Sequence, residues 1–129
     1  MNGKEVKKWL SRSIKLDDNA NRIQKRLGMY KARKDKLMEI SSDFCIEKLY
    51  QNIDAGTKEL NTLYAVRLEV EEAIASIECH KIRAIISDIY LDGIPIVDMI
   101  GKPWSKSYID SLHSKGIKLV ARFLREKIL

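Results

Sequence analysis

The feature that most constrains this chain is a seven-residue rhythm over residues 46–77. One position of the repeat holds Ile46, Ile53, Leu60, Arg67 and Ile74; the other holds Leu49, Gly56, Leu63, Val70 and Ile77. Eight of these ten are apolar, which requires a helix with one buried seam, packed as in a coiled coil. A second rhythm precedes it. Val6, Trp9, Leu16, Ala20, Ile23, Leu27, Tyr30 and Leu37 fall on alternating steps of three and four, interrupted by Ser13 and Lys34. That spacing predicts an amphipathic helix over 4–40. Gly28 inside it weakens the helix by ~1 kcal/mol relative to Ala. Ser41, Ser42 and Asp43 are N-cap types, so a turn is expected at 40–44. Two such helices form an antiparallel hairpin, or each pairs its stripe with another copy; the pattern fits both. A two-helix hairpin buries little core alone, so a homo-oligomer is expected.

After Glu78 the pattern changes. Ile82, Ile85, Ile86, Ile89 and Tyr90 share one helical face of 79–93, which stops at Asp92-Gly93. Pro95 suits the first turn of a short helix with Ile96, Met99 and Ile100 inward and Gly101, Lys102 and Pro103 at its end. The segment 104–129 reads as a long helix capped by Ser105. Its apolar stripe is Ile109, Leu112, Leu119, Val120 and Phe123, with Gly116 as a close packing point. The expectation is an all-α chain of two parts, a helical hairpin or coiled coil over 1–78 and a helix-turn-helix domain over 79–129.

Charge is distributed unevenly. Residues 1–40 carry 12 basic and 5 acidic side chains, 41–78 carry 3 and 8, and 79–129 carry 9 and 5. Either the basic first helix packs on the acidic second, or its charge serves a nucleic acid. Two cysteines, Cys45 and Cys79, have no CxxC spacing and suggest neither a disulfide framework nor a zinc site. His80 beside Cys79 supplies too few metal ligands. No apolar run approaches a membrane span and no signal-peptide pattern stands at the N-terminus, so a cytoplasmic protein with no membrane partner is expected. There is no Gly-rich phosphate loop, nucleophile elbow or HExxH, so neither an enzyme nor a cofactor is expected. Asp88, Asp92 and Asp98 read as solvated surface.

The order helix, short helix, tight turn, longer basic helix is that of a DNA reader. The last helix buries one stripe and presents its first turns to the major groove, where base edges display a readable donor and acceptor pattern. Lys106, Ser107, Tyr108, Asp110 and Ser111 are the polar residues of those turns. Ser114, Lys115 and Lys118 continue the helix, followed by Arg122 and Arg125. The plainer reading makes these basic residues a solvated face. Trp104 packs at the mouth of the turn, and His113 is a half-buried packing residue. Tyr108 either lies against a nucleic-acid backbone or caps the core. Cys45 packs near the interhelical turn, and Arg67 either sets register or snorkels.

"YLDG" before the turn and "SKSYIDSLHSKGIKLV" after it resemble the fourth domain of bacterial sigma factors. With the opening "KEVKKWLSRSIKLDDNANRI", the chain resembles phage-encoded transcriptional regulators of the RinA and ArpU kind. That resemblance implies a sequence-specific DNA-binding regulator of phage or prophage late genes, acting on double-stranded DNA in a bacterial host, with RNA polymerase a further partner. It implies base contacts by Lys106, Ser107, Tyr108, Asp110 and Ser111 and a phosphate contact by Lys115. The chain departs from the family where Ser107 and Asp110 replace longer side chains and where "IGKPWSKS" shortens the turn. Two other functions are compatible with the motif, a sigma-like module that docks on RNA polymerase without DNA and a DNA-packaging or recombination accessory.

Overall fold

A computed structural model describes residues 1–40, 43–101 and 104–128. All regular structure among them is helical, so the all-α class is as expected. The elements are α1 (Gly3–Leu10), a 3-10 turn (Ser11–Ser13), α2 (Leu16–Ile40), α3 (Asp43–Ala75), α4 (His80–Tyr90), α5 (Ile96–Met99) and α6 (Lys106–Ile128).

The single helix expected over 4–40 is in fact two. Asn2 caps α1, its side chain accepting from the Glu5 backbone N–H at 2.9 Å. The helix stops where the rhythm is interrupted. Ser13 is buried, and its hydroxyl donates to the carbonyl of Tyr90, a partner 77 residues away. A core-facing hydroxyl holding a distant carbonyl satisfies both groups, which an apolar residue at that position would not. Lys15 then adopts φ +63°, a left-handed conformation that a non-glycine residue visits at a cost and that prevents α1 from running into α2.

The chain divides into two compact units, residues 1–15 with 66–129, and residues 16–65. The division differs from the expected boundary at 78/79, because α1 and the last turns of α3 share a core with the C-terminal helices. Val6 and Leu10 of α1, Val70 and Ile74 of α3, Ile86 of α4, and Ile109 and Val120 of α6 belong to one buried cluster. At the end of α3, the Arg83 guanidinium donates to the Ile77 carbonyl at 3.0 Å. That contact satisfies a carbonyl in the link between α3 and α4. Helix α4 ends at Tyr90, not at residue 93. Gly93 at φ +68° lets the Ile94 N–H turn back to the Asp88 carbonyl at 2.9 Å. Pro95 caps α5 rather than standing inside it, and of the three inward residues expected, Ile96 and Met99 are half-buried while Ile100 is exposed. The expected helix stop at Lys102 and Pro103 lies outside the described residues.

The unit of 16–65 is an antiparallel hairpin. Gln24 donates to the Tyr64 hydroxyl at 2.8 Å, Leu27 meets Gly56, and the Lys34 ammonium lies 5.1 Å from the centre of the Tyr50 ring. Partner numbers fall along α3 as they rise along α2. Ala20, Ile23, Leu27 and Leu49 are buried, as the seam predicts. Cys45, expected to pack near the turn, is exposed. The turn residues Ser41 and Ser42 lie outside the described residues.

Candidate nucleic-acid interface

Helix α6 is the element on which the expected site rests. Ser105 caps it, its hydroxyl accepting from the Tyr108 backbone N–H at 3.2 Å. Ile109, Leu112, Ile117, Val120 and Leu124 turn into the core. Leu119, expected in that stripe, is 37% exposed, because the buried face leans toward Ile117 where α1 packs. Gly116 sits against α4 closely enough that a Cβ there would stand 2.5 Å from Cγ1 of Ile86.

With that face inward, the outward face follows from helix geometry, since successive residues are about 100° apart. Ser107, Ser111, Ser114, Lys118 and Arg125 fall on one line opposite the core, with Lys115 and Arg122 beside it; all are exposed. The stripe is therefore small and polar in its first turns and cationic afterwards. Lys115, Lys118 and Arg125 make no ion pair among the described residues. Arg122 pairs with Glu126 at 3.1 Å in full solvent, a contact of little energetic weight.

The base-facing set read from sequence does not share one face. All five residues are exposed, but only Ser107 and Ser111 lie on the central line. By the same geometry Lys106 and Asp110 turn toward the α1 side. Asp110 lines a groove with Gly3 and Lys7 of α1 and with His113, Ser114 and Lys118 of α6. Tyr108 turns to the other edge and stacks on Trp104, ring centres 5.0 Å apart at 23°. Trp104 is half-buried and packs on the core cluster, as expected, so Tyr108 extends the core edge.

The residue that sequence reading missed is Lys7. Only the packing of α1 on α6 brings it to the face of α6, and no local spacing encodes a contact between residues so far apart. The available signals were the Asn2-to-Glu5 cap and the interruption at Ser13, which together mark a separate first helix. His113 is half-buried, as expected. Its Nε2 lies 2.7 Å from the Tyr90 hydroxyl, and the two rings stack. Burial lowers its pKa below the ordinary 6.5, the Lys7 charge lowers it further, and Asp110 opposes both. Burial likewise pushes the Tyr90 hydroxyl up to about 12. Asp88 is not the solvated carboxylate expected: it is half-buried, and burial and then Asp92 raise its pKa. Arg67 is half-buried at its seam position, with Nε 2.8 Å from Glu71.

Among the described residues no group of three or more His, Cys, Asp and Glu side chains is placed to hold a metal ion, and no helix is long and apolar enough to cross a membrane. No protein-family model matches the chain, and neither a curated protein nor a solved structure matches it.

Proposed function

We propose that this protein binds double-stranded DNA through the outward stripe of α6 and regulates transcription, with phage or prophage late genes as its targets. The observation that supports the reading is the stripe itself. An exposed helix face begins with Ser107 and Ser111 and continues into Lys115, Lys118 and Arg125. Short hydroxyl side chains permit close approach to base edges and act as donor or acceptor. The lysines and arginines beyond supply phosphate contacts, which position the helix and give affinity without sequence choice. The α2–α3 hairpin provides the contact with a second copy or with RNA polymerase; a dimer would space its half-sites by whole turns of the duplex.

The test is selection of bound fragments from the source genome by the purified chain at moderate salt, beside a Ser107→Ala/Ser111→Ala control. Enrichment of one intergenic site, lost in the control, is the expected result. Uniform retention that disappears with added salt would reduce the activity to charge alone.

One observation favours a second reading, a sigma-like module that docks on RNA polymerase without DNA. Val97 on α5 is 70% exposed and Ile100 beside it 42%, an apolar pair a protein partner would cover. Pull-down of polymerase by a chain that retains no fragment would select it.

A further inference from the structure

The groove between α1 and α6 has a volume of about 370 Å³ and two unpaired cations on its walls, Lys7 from one helix and Lys118 from the other. Neither makes an ion pair among the described residues. Ser114 lies one turn before Lys118 on the same face, so its hydroxyl and the Lys118 ammonium address one point. Gly3 leaves the α1 wall low: a Cβ at that position would meet Ile117 at 3.7 Å. The Lys7 charge already reaches across the groove, since it disfavours a proton on His113.

Two like charges on facing walls repel unless an anion lies between them. A phosphate oxygen suits the position, because each ammonium offers three donors and the Ser114 hydroxyl is a third donating group. Asp110 is the one carboxylate lining the groove among the described residues. It repels an anion at its own end and so favours one placed toward Ser114 and Lys118. Lys118 also belongs to the outward stripe, so a duplex lying along α6 carries one of its strands past the groove mouth. We propose that Lys7, Ser114 and Lys118 clamp one backbone phosphate of that duplex, making α1 a second DNA-contacting helix. The proposal rests on the DNA-binding reading above and adds to it a contact from outside α6.

Lys8 provides the internal control. It is exposed and adjacent to Lys7, but one helical step of about 100° turns it away from α6. The experiment uses the full chain and a fluorescently labelled duplex, with affinity measured by anisotropy across a range of salt. Lys7→Gln is expected to weaken binding to every sequence and to make the slope of log affinity against log salt shallower by about 0.9. Lys8→Gln should leave the slope unchanged, and melting curves of both variants, taken above the His113 titration range, should match the parent. A second readout follows the His113 ring by NMR, where the groups facing it are Lys7 on α1, Tyr90 on α4, and Asp110 and Lys118 on α6. A phosphate in the groove favours the charged imidazole, so duplex should raise the His113 pKa in the parent and not in Lys7→Gln. Equal slope changes in Lys7→Gln and Lys8→Gln would replace the clamp with diffuse charge. An unchanged slope in Lys7→Gln, with the parent still binding, would remove α1 from the interface. Failure of the parent to bind duplex at any salt would instead overturn the DNA-binding reading itself.

Discussion

Ile109 and Leu60 are both apolar residues at helical seam positions, yet Ile109 is fully enclosed and Leu60 remains half-exposed. The difference separates the two units. In the unit of 1–15 and 66–129, α6 is packed against α1, α4 and α5, and residues such as Val6, Ile86 and Val120 lose all contact with water. Within the hairpin of 16–65 the two helices pack on each other across one seam, and Ile53, Leu60 and Leu63 keep part of their surface wet. A heptad pattern thus specifies which face turns inward, while the number of neighbours decides how much that face is worth.

Substitutions at seam positions test this most strongly. Ile109→Ala should cost about 2–5 kcal/mol, as deletion of a fully buried aliphatic side chain does. Ile53→Ala should cost distinctly less, because its site is partly hydrated already. Equal losses in denaturant titrations would erase the distinction between the units. The glycines give the next effect in size, with opposite signs. At Gly116 an added methyl meets Ile86 at 2.5 Å and Ile82 at 3.1 Å. Gly116→Ala should therefore destabilise by about 1–3 kcal/mol despite better helix propensity. At Gly28 nothing lies within 4 Å of such a methyl, so Gly28→Ala should stabilise by roughly 0.5–1 kcal/mol. Thermal melts of the two variants moving in the same direction would contradict the packing described for α4 and α6.

The smallest effect is one of pH and concerns the compact unit alone. The folded His113 pKa lies below the ordinary 6.5, so below that pH the unfolded chain takes up a proton that the folded chain refuses. Stability is full above pH 6.5 and falls as pH drops toward the folded value. His113→Gln should flatten that part of the stability profile, and Lys7→Gln should make the loss smaller, because the folded pKa moves back up toward the unfolded value. A hairpin probe such as Tyr64 fluorescence that reported the same dependence would show the two units to unfold together.

The sequence made helical seams legible and long-range junctions illegible. Ile82, Ile85, Ile86, Ile109 and Val120 are inside as their spacing predicts, because burial on a helix repeats with its turn. The interruption at Ser13 was visible, but its cause was not, since the carbonyl it serves belongs to Tyr90. The same limit applies to the candidate site. Exposure of the polar residues between Lys106 and Lys118 followed from polarity, whereas the split of Lys106 and Asp110 to one side and Tyr108 to the other depends on where α1 and Trp104 sit. Lys7 entered the site for that reason alone. Cys45 shows the reverse error: a residue type that favours burial stands exposed on a hairpin whose helices pack across one seam.

Gly116 carries a consequence beyond packing. Turning α6 by one residue in either direction would drive Lys115 or Ile117 into the space where Ile86 approaches the bare backbone. The helix is therefore keyed like a lock barrel, with one admissible rotation about its own axis. Which side chains α6 shows to any partner is decided at a position that has no side chain of its own.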